Sequence, residues 1–200
     1  MIWRRVLVPE AYTLRELHGV FQVAMGWEGI HLFEFTIRAV GYSSFELDGE
    51  SADVPLAKFR FRKNAKFIYR YDMGCDWVHE VRIEQRQAGE DKQRYPLCTG
   101  GSGVCPPEEC GGVMQYLDRR DDALGFEAME DIAEIADFVD QVVLQERYEL
   151  LKDEQQRWKM EAILDRCRAR ELYLDEHFSR RTVNHAFRQN EHQRLMYQWF

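Results

Sequence analysis

A cysteine-rich segment offers the clearest chemistry in this chain. Three of the five cysteines, Cys98, Cys105 and Cys110, fall within residues 95–112, together with three of the five prolines and five of the thirteen glycines. So much proline and glycine argues against one regular helix or strand over the whole segment, and we predict a loop, called here the cysteine loop. Structural zinc is held by four soft or borderline ligands, and the imidazole of His79 would complete a set with the three thiolates.

We therefore predict a structural zinc site with His79, Cys98, Cys105 and Cys110 as its ligands. His79 lies in an alternating segment with apolar neighbours on its side, so its imidazole is expected to point inward. The cysteine spacing is not that of a zinc knuckle, and two other interpretations stay open. In one, the cysteines are small buried side chains that pack an irregular loop. In the other, they are the thiols of a redox switch.

A second group of reactive side chains surrounds Gly74. Its members are Asp72, Cys75, Asp76, His79 and Glu80. Carboxylates, a thiol and an imidazole are groups that metal-assisted hydrolases and thiol nucleophiles use. A metal-dependent enzyme that uses Asp72, Asp76 and His79 is therefore one hypothesis. The other is a polar hairpin turn beside an ordinary core histidine.

A third pattern alternates basic and aromatic residues. It comprises Lys58, Phe59, Arg60, Phe61, Arg62 and Lys63, followed by Lys66 and Arg70. A strand in this place would put the charges on one face, where they could follow a line of phosphate groups. The pattern is compatible both with a nucleic-acid contact and with a solvated strand face.

Hydrophobic periodicity predicts the elements that must position these groups. Strands are predicted over residues 3–8, 31–40, 66–73 and 77–84, the last two as a hairpin, and a helix over 12–25. Thr13 and Glu16 match a capping box at the start of that helix, and Gly26 fits its end. These elements favour an α+β fold in which one helix packs on a small mixed or antiparallel sheet, with a β-grasp-like arrangement as one form of it.

The remainder of the chain is predicted to be helical. Met129, Ile132, Ala136, Val139 and Val143 recur at helical spacing, which most often marks a core or intrachain contact. Large apolar residues in a polar region favour a protein partner or a homodimer through the C-terminal helices. They are Trp158, Tyr197, Trp199 and Phe200. We thus predict two parts, a core over 1–120 that contains the cysteine loop and a helical extension over 121–200.

The combination of motifs resembles the plasmid pRiA4b ORF-3-like family, also described as insertion-element passenger TnpR-like proteins. The matching residues are 3–9, Leu14, Leu17, His18, 26–27, His31, Phe35, 71–74, Trp77, His79, 95–96, Cys98, Gly103 and 105–112, with a C-terminal match at Tyr173, Asp175, Phe178 and Asn184. The family commonly has Asp where Cys75 stands. The resemblance implies a plasmid or mobile-element setting and no particular mechanism.

Composition narrows the class of protein. The chain is 45% hydrophobic and 31% charged, an ordinary globular balance, and its net charge of −8 disfavours nucleic acid and anionic membranes unless a local basic patch exists. No apolar stretch approaches the roughly 18 residues of a membrane span, and no apolar run follows the basic pair near the start. We therefore expect no signal peptide, no membrane association, and a cytoplasmic protein with free or metal-bound thiols.

These observations lead to one preferred hypothesis and two alternatives. We predict a non-catalytic interaction or accessory module in which the cysteine loop is a structural staple. The alternatives are a DNA-associated accessory factor of a mobile element and the metal-dependent enzyme described above.

Overall fold

The chain divides into two units in the computed structural model, which describes residues 1–174 and 177–197. Unit 1 comprises Met1–Gly112 together with the segment that begins at His177. Unit 2 is Val113–Glu176. This differs from the division expected at residue 120, because the last helices of the chain pack on the first helix and on the last strand.

Unit 1 contains a five-stranded sheet and a two-stranded sheet. The strands are β1 (Trp3–Leu7), β2 (Phe33–Ile37), β3 (Val40–Ser43), β4 (Glu50–Ser51), β5 (Lys66–Tyr71), β6 (Trp77–Arg82) and β7 (Leu97–Ser102). The larger sheet has the order β4-β3-β2-β5-β6 and is antiparallel except for the short β3–β4 pair. The smaller sheet pairs β1 with β7. With the helices described below, this arrangement confirms the predicted α+β class.

One predicted strand is a hairpin in the structure. The segment 31–40 was expected to be continuous, but β2 turns back into β3 at Arg38 and Ala39. Both residues have positive φ values, 51° and 66°. Residues other than glycine rarely adopt positive φ values, and neither arginine nor alanine is a residue type that indicates a turn. The prediction of a single strand was therefore wrong at this point.

Helix α1 (Leu14–Met25) begins and ends as its sequence predicts. Thr13 and Glu16 form the capping box, and Gly26 ends the helix in the left-handed conformation with φ 82°. Leu14 and Leu17 are 0% and 4% exposed, which confirms that this face of the helix is buried.

A buried polar network fixes the position of α1 on the larger sheet. The phenol oxygen of Tyr69 lies 2.7 Å from His18 Nδ1 and accepts a hydrogen bond from Gln22 Nε2 at 2.8 Å. All three residues are 0% exposed. Because a buried polar group is costly without its partner, this network disfavours any shift of the helix along the sheet.

The opposite side of α1 is covered by the end of the chain. Helices α5 (Arg180–Arg188) and α6 (Glu191–Arg194) pack on it, and their Val183 and Phe187 join Val20 and Val23 in one apolar cluster. Gly19 allows the close approach, since a Cβ atom there would collide with the carbonyl oxygen of His192.

Unit 2 consists of helices with little buried apolar surface. Helices α2 (Val113–Ala123) and α3 (Phe126–Val139) pack against α4 (Glu154–Leu174), and α3 continues into one π-helical turn, Asp140–Leu144. No helix in the described ranges is both long and apolar enough to cross a bilayer.

Candidate functional site

The first part of the predicted cysteine loop is a strand. Leu97–Ser102 forms β7, and the side-chain amide of Asn184 pairs with its outer edge by accepting from Cys98 N at 2.8 Å and donating to Cys98 O at 2.9 Å. Pairing with β1 on one side and with Asn184 on the other compensates for the low strand propensity of glycine. The prediction of one irregular loop over 95–112 was therefore wrong up to Ser102. The irregular part, residues 103–112, is called the docked loop below.

Hydrogen bonds from three residues hold the docked loop against β5 and the segment that follows α1. Trp27 Nε1 donates to the carbonyl oxygen of Pro106 at 2.9 Å, and Glu28 N donates to the carboxylate of Glu108 at 2.6 Å. The Tyr71 hydroxyl donates to the other oxygen of the same carboxylate. The Trp27 ring, 4% exposed, stacks on Tyr71 with centroids 5.1 Å apart. These contacts order a segment that has little apolar content of its own.

The cysteines occupy different environments. Cys98 is 1% exposed and belongs to the apolar cluster formed by α1 and α5. Cys105 lies within electrostatic range of the Arg4 guanidinium. Cys110 is 1% exposed and lies within electrostatic range of both Cys75 and Cys105.

His79 faces an aromatic cluster. Its ring meets Trp27 edge-on with centroids 5.5 Å apart and lies 5.3 Å from the ring of Tyr69. Its Nδ1 atom is 3.0 Å from the carbonyl oxygen of Trp77. The imidazole points inward as predicted, and there it contacts these aromatic residues.

The four predicted zinc ligands are not gathered into one site. Within residues 1–174 and 177–197, no group of three or more His, Cys, Asp or Glu side chains is arranged to hold a metal ion. The docked loop is ordered instead by hydrogen bonds that involve Trp27, Tyr71 and Glu108. Cys98 packs in the apolar cluster of α1 and α5. Zinc binding by His79, Cys98, Cys105 and Cys110 stays a prediction.

The thiols of the core are poor nucleophiles. Burial raises the pKa of Cys105 to about 12, and burial also raises the pKa of Cys98. A hydrogen bond to the Asp72 carboxylate, with burial second, raises the pKa of Cys75 to about 11. These three thiols are therefore protonated near neutral pH, whereas nucleophilic attack needs the thiolate.

Asp72 organises the turn between β5 and β6. Its Oδ1 accepts from Gly74 N at 3.0 Å and from Cys75 N at 3.2 Å, while its Oδ2 lies 3.7 Å from His31 Nε2. Burial opposes the charge on this carboxylate, but the hydrogen bonds from Cys75 and Gly74 outweigh burial and hold its pKa below the ordinary value. This is the geometry of a structural turn.

The three residues of the enzyme hypothesis do not face one another. Asp76 forms an ion pair with Arg70 at 2.7 Å, and both side chains are more than 40% exposed. In the pairing of β5 with β6, His79 is opposite Tyr69, so it lies on the buried face that Tyr69 and Tyr71 share. Arg70 lies on the other face, since successive side chains of a strand alternate. Asp76 and His79 are thus directed to different sides of the hairpin.

The basic and aromatic pattern is not a strand, yet it separates its two residue types. Phe59 and Phe61 are buried, and the ring of Phe61 lies 5.3 Å from that of Phe59 and 5.1 Å from that of Phe67. The intervening cations are exposed and form no ion pair with a described residue; they are Lys58, Arg60, Arg62 and Lys63. Lys66 and Arg70, by contrast, pair with Glu80 and Asp76.

The apolar stripe of α3 is exposed, contrary to the expectation of a core contact. Met129, Ile132, Val139 and Val143 are 65%, 58%, 49% and 60% exposed. The helix packs on α4 through its neighbouring face instead, which carries Ala128 and an Asp131 that is 7% exposed. We call Met129, Ile132, Ala136, Val139 and Val143 the outer stripe.

The described residues proposed for a homodimer belong to different units, and the homodimer stays a prediction. Trp158 is 78% exposed in unit 2, whereas Tyr197 is 51% exposed in unit 1. Trp199, Phe200 and Asp175 of the C-terminal motifs lie outside the described residues. Sequence reasoning did not single out the Tyr71–Glu108 contact, although both residues stand in the motifs that carry the family resemblance.

Comparison with known proteins agrees with the fold and the motifs. The model of the plasmid pRiA4b ORF-3-like protein family matches residues 1–163. The uncharacterized protein y4hQ of Sinorhizobium fredii is 37% identical over 124 residues, which are 58% of this chain and 62% of that protein. This chain thus covers about three fifths of that relative's length.

A solved structure shares the fold. The crystal structure of MM3350, a protein of unknown function from Methanosarcina mazei Go1, superposes with a TM-score of 0.58 at 32% identity, over 65% of this chain and 77% of that chain. Since the family model covers more than half of the chain, the protein belongs to the plasmid pRiA4b ORF-3-like family.

Proposed function

We propose that this protein is a non-catalytic accessory module that binds another protein through unit 2. The family and its uncharacterised relatives give a plasmid-associated setting without an activity. The observation that carries the proposal is the exposure of the outer stripe, in which four large apolar side chains are 49–65% exposed on a single helix face. A contiguous apolar surface of this kind is typical of interaction sites.

The rest of the molecule supports a binding role rather than catalysis. The thiols of Cys75, Cys98 and Cys105 are protonated near neutral pH, and Asp76 and His79 are directed to opposite faces of their hairpin. An enzyme needs its reacting groups within hydrogen-bond reach of one substrate position. The hydrogen-bonded docked loop is accordingly interpreted as a staple of unit 1.

Site-specific photo-crosslinking tests this function. A photoreactive amino acid at Ile132 or Val139, introduced in cells that naturally carry the gene, should give the same single adduct from both positions. The matched controls are Leu172 in unit 2 and Phe45 in unit 1, which are 63% and 83% exposed. The identified partner should then bind the purified protein. Equal adducts from all four positions, or none from the outer stripe, would contradict the proposal.

A second candidate function is contact with nucleic acid through Lys58, Arg60, Arg62 and Lys63. It is favoured by the exposure of these four cations, which no described carboxylate neutralises. Against it stands the net charge of −8. We therefore expect any such binding to be weak, independent of sequence and steeply dependent on salt.

A gel-shift titration at two salt concentrations decides this second candidate. Four phosphate contacts predict a loss of affinity of about a hundredfold between 50 and 200 mM salt. Replacing Arg60 and Arg62 by Ala should lower the salt slope by about two, whereas Lys66→Ala, which removes a cation already paired with Glu80, should change it less. Tight, salt-insensitive and sequence-selective binding would instead favour a DNA-associated accessory factor.

A further inference from the structure

Helix α3 carries two parallel stripes, of which only one is used inside unit 2. The inner stripe, which faces α4, contains Ala128 and Asp131, and Val142 continues it into the π-helical turn; all three are less than 9% exposed. Met129, Ile132 and Val143 of the outer stripe each follow a member of the inner stripe by one residue. At about 100° per residue the outer stripe is therefore turned by roughly that angle away from α4.

The spacing within the outer stripe is that of a helix–helix seam. Its members are separated by three, four, three and four residues, the alternation that keeps one face of a helix against a straight partner helix. From Met129 to Val143 the seam covers two heptads, a length of about 21 Å. A partner helix of two to three heptads would match it.

The charges beside this seam are all negative. Three members of the outer stripe are each followed directly by an acidic residue. The acidic residues are Glu130, Asp137 and Asp140, which come after Met129, Ala136 and Val139. None of the three carboxylates forms an ion pair with a described residue. No lysine or arginine occurs in residues 121–146. The edge of the seam that points away from α4 is thus an acidic rim, a name that we keep for Glu130, Asp137 and Asp140.

Three cations of α4 form ion pairs with α3, and none of these pairs involves the acidic rim. Arg166 forms an ion pair with Asp131 at 2.6 Å, and Arg170 pairs with the same carboxylate. Lys159 pairs with Glu134 at 2.8 Å. The outer stripe and its rim therefore present an apolar seam flanked by uncompensated negative charge.

We infer that the outer stripe binds a basic amphipathic helix of another protein. This inference rests on the proposed function and names the chemistry of the partner: apolar side chains at heptad spacing, with lysine or arginine beside them where they meet the acidic rim. Opposite charges at the edge of a helical seam set partner choice and orientation. A second copy of this chain is disfavoured as the occupant, because two α3 helices would bring two acidic rims together.

Designed peptides test the inference on the full-length protein. The probe is a labelled peptide of about three heptads with Leu at the seam positions and Lys on both flanks, and its control carries Glu in place of each Lys. Fluorescence anisotropy should show saturable binding of the Lys peptide and at least tenfold weaker binding of the Glu peptide. Raising the salt concentration should weaken binding of the Lys peptide, because Glu130 and Asp137 of the rim are exposed and Asp140 is half-buried.

Variants locate the binding site. Ile132→Asp and Val139→Asp should each lower the affinity for the Lys peptide at least tenfold. Leu172 is an equally apolar and exposed residue on α4, and Leu172→Asp should leave that affinity within twofold. Replacing Glu130, Asp137 and Asp140 together by Lys should reverse the preference, so that the Glu peptide binds more tightly. Circular dichroism of each variant confirms that its helices are intact.

The outcomes separate this inference from the function on which it rests. If neither peptide binds while cross-linking still maps a partner to the outer stripe, the basic-helix chemistry is wrong and the interaction function stands. If the protein is a dimer in analytical ultracentrifugation, and Ile132→Asp makes it a monomer, a second copy is the occupant and the inference is overturned. Equal losses of affinity for the Lys peptide in Ile132→Asp and Leu172→Asp would also contradict the inference.

Discussion

At the scale of single residues, Glu108 is the contact on which the docked loop depends most. Its carboxylate accepts hydrogen bonds from Glu28 N and from the Tyr71 hydroxyl. Burial, reinforced by the neighbouring Glu108 carboxylate, raises the pKa of Tyr71, so the phenol keeps its proton and remains a donor. A charge-assisted hydrogen bond to an aromatic residue therefore helps to order the loop.

Glu108→Ala tests this contact. We expect a loss of about 1.5–3 kcal/mol in the free energy of unfolding, with faster amide exchange in residues 103–112, because a hydrogen bond to a charged group disappears. Glu109→Ala is the matched control: the same change at the next, exposed residue should cost less than about 0.5 kcal/mol. Equal costs for the two variants, measured by urea unfolding, would mean that Glu108 does not hold the loop.

His18 should make the protein sensitive to mild acid. Burial, with the nearby Arg15 charge second, lowers the pKa of His18 to about 3, whereas an unfolded histidine titrates near 6.5. Between these values the unfolded state binds the extra proton, so the stabilisation is complete above pH 6.5 and is lost as the pH falls. The loss amounts to about 2 kcal/mol at pH 5.

Urea unfolding as a function of pH measures this effect. His18→Gln should be less stable than the parent at pH 7, because the contact with Tyr69 is altered, yet its stability should fall less between pH 6.5 and pH 5. His79 and His192 also have pKa values lowered by burial, so part of the pH dependence should remain. If the free energy of unfolding of His18→Gln depends on pH as steeply as that of the parent, His18 is not the buried neutral group described.

Residue-level reasoning succeeded where a residue's role is local. The inward direction of His79 and the capping box of Thr13 and Glu16 were predictable from alternation and spacing. The surroundings of Cys98 were not, because they depend on Val183 and Phe187, which lie more than 80 residues away in the chain. No spacing rule within the segment 95–112 contains that information.

At the scale of elements, a single substitution can test the packing of α6 on α1. Gly19→Ala would normally stabilise a helix by roughly 0.5–1 kcal/mol. Here the added methyl group would collide with the carbonyl oxygen of His192, and we expect a loss on the order of 1–3 kcal/mol instead. The sign of the effect thus reports directly on whether the two helices touch.

Chemical denaturation and limited proteolysis provide the readout. Gly19→Ala should also expose residues 177–197 to protease, whereas Gly89→Ala, where a Cβ atom would meet nothing closer than 3.9 Å, should behave like the parent. A Gly19→Ala variant more stable than the parent would contradict the packing of the C-terminal helices on α1.

Elements with strong periodicity were predictable, and elements made by tertiary pairing were not. α1, β1, β5 and β6 follow the expected ranges within a few residues. Strand β7 escaped prediction because its glycines have low strand propensity, and its extended form depends on β1 and Asn184. The β2–β3 hairpin escaped because Arg38 and Ala39 are not turn residues by type.

At the scale of the whole molecule, the two units distribute their apolar residues differently. Unit 1 buries its aromatic residues between the sheet and α1, with Phe33, Phe35, Tyr69 and Tyr71 at 0% exposure. Unit 2 leaves most large apolar side chains of α3 exposed. Periodicity revealed the outer stripe, but it could not tell a seam within the chain from one that awaits a partner, since both carry the same pattern.

The stability of Ile132→Asp in the free protein tests the central claim most directly. If the outer stripe is uncovered until a partner binds, the substitution should change the free energy of unfolding by less than about 0.5 kcal/mol, because Ile132 is 58% exposed. Ile163→Asp, at a position on α4 that is 1% exposed, is the matched control and should cost several kcal/mol, on the order of 3 or more. A loss for Ile132→Asp as large as that for Ile163→Asp would mean that the stripe is already covered, and the account of unit 2 as a docking module would be wrong.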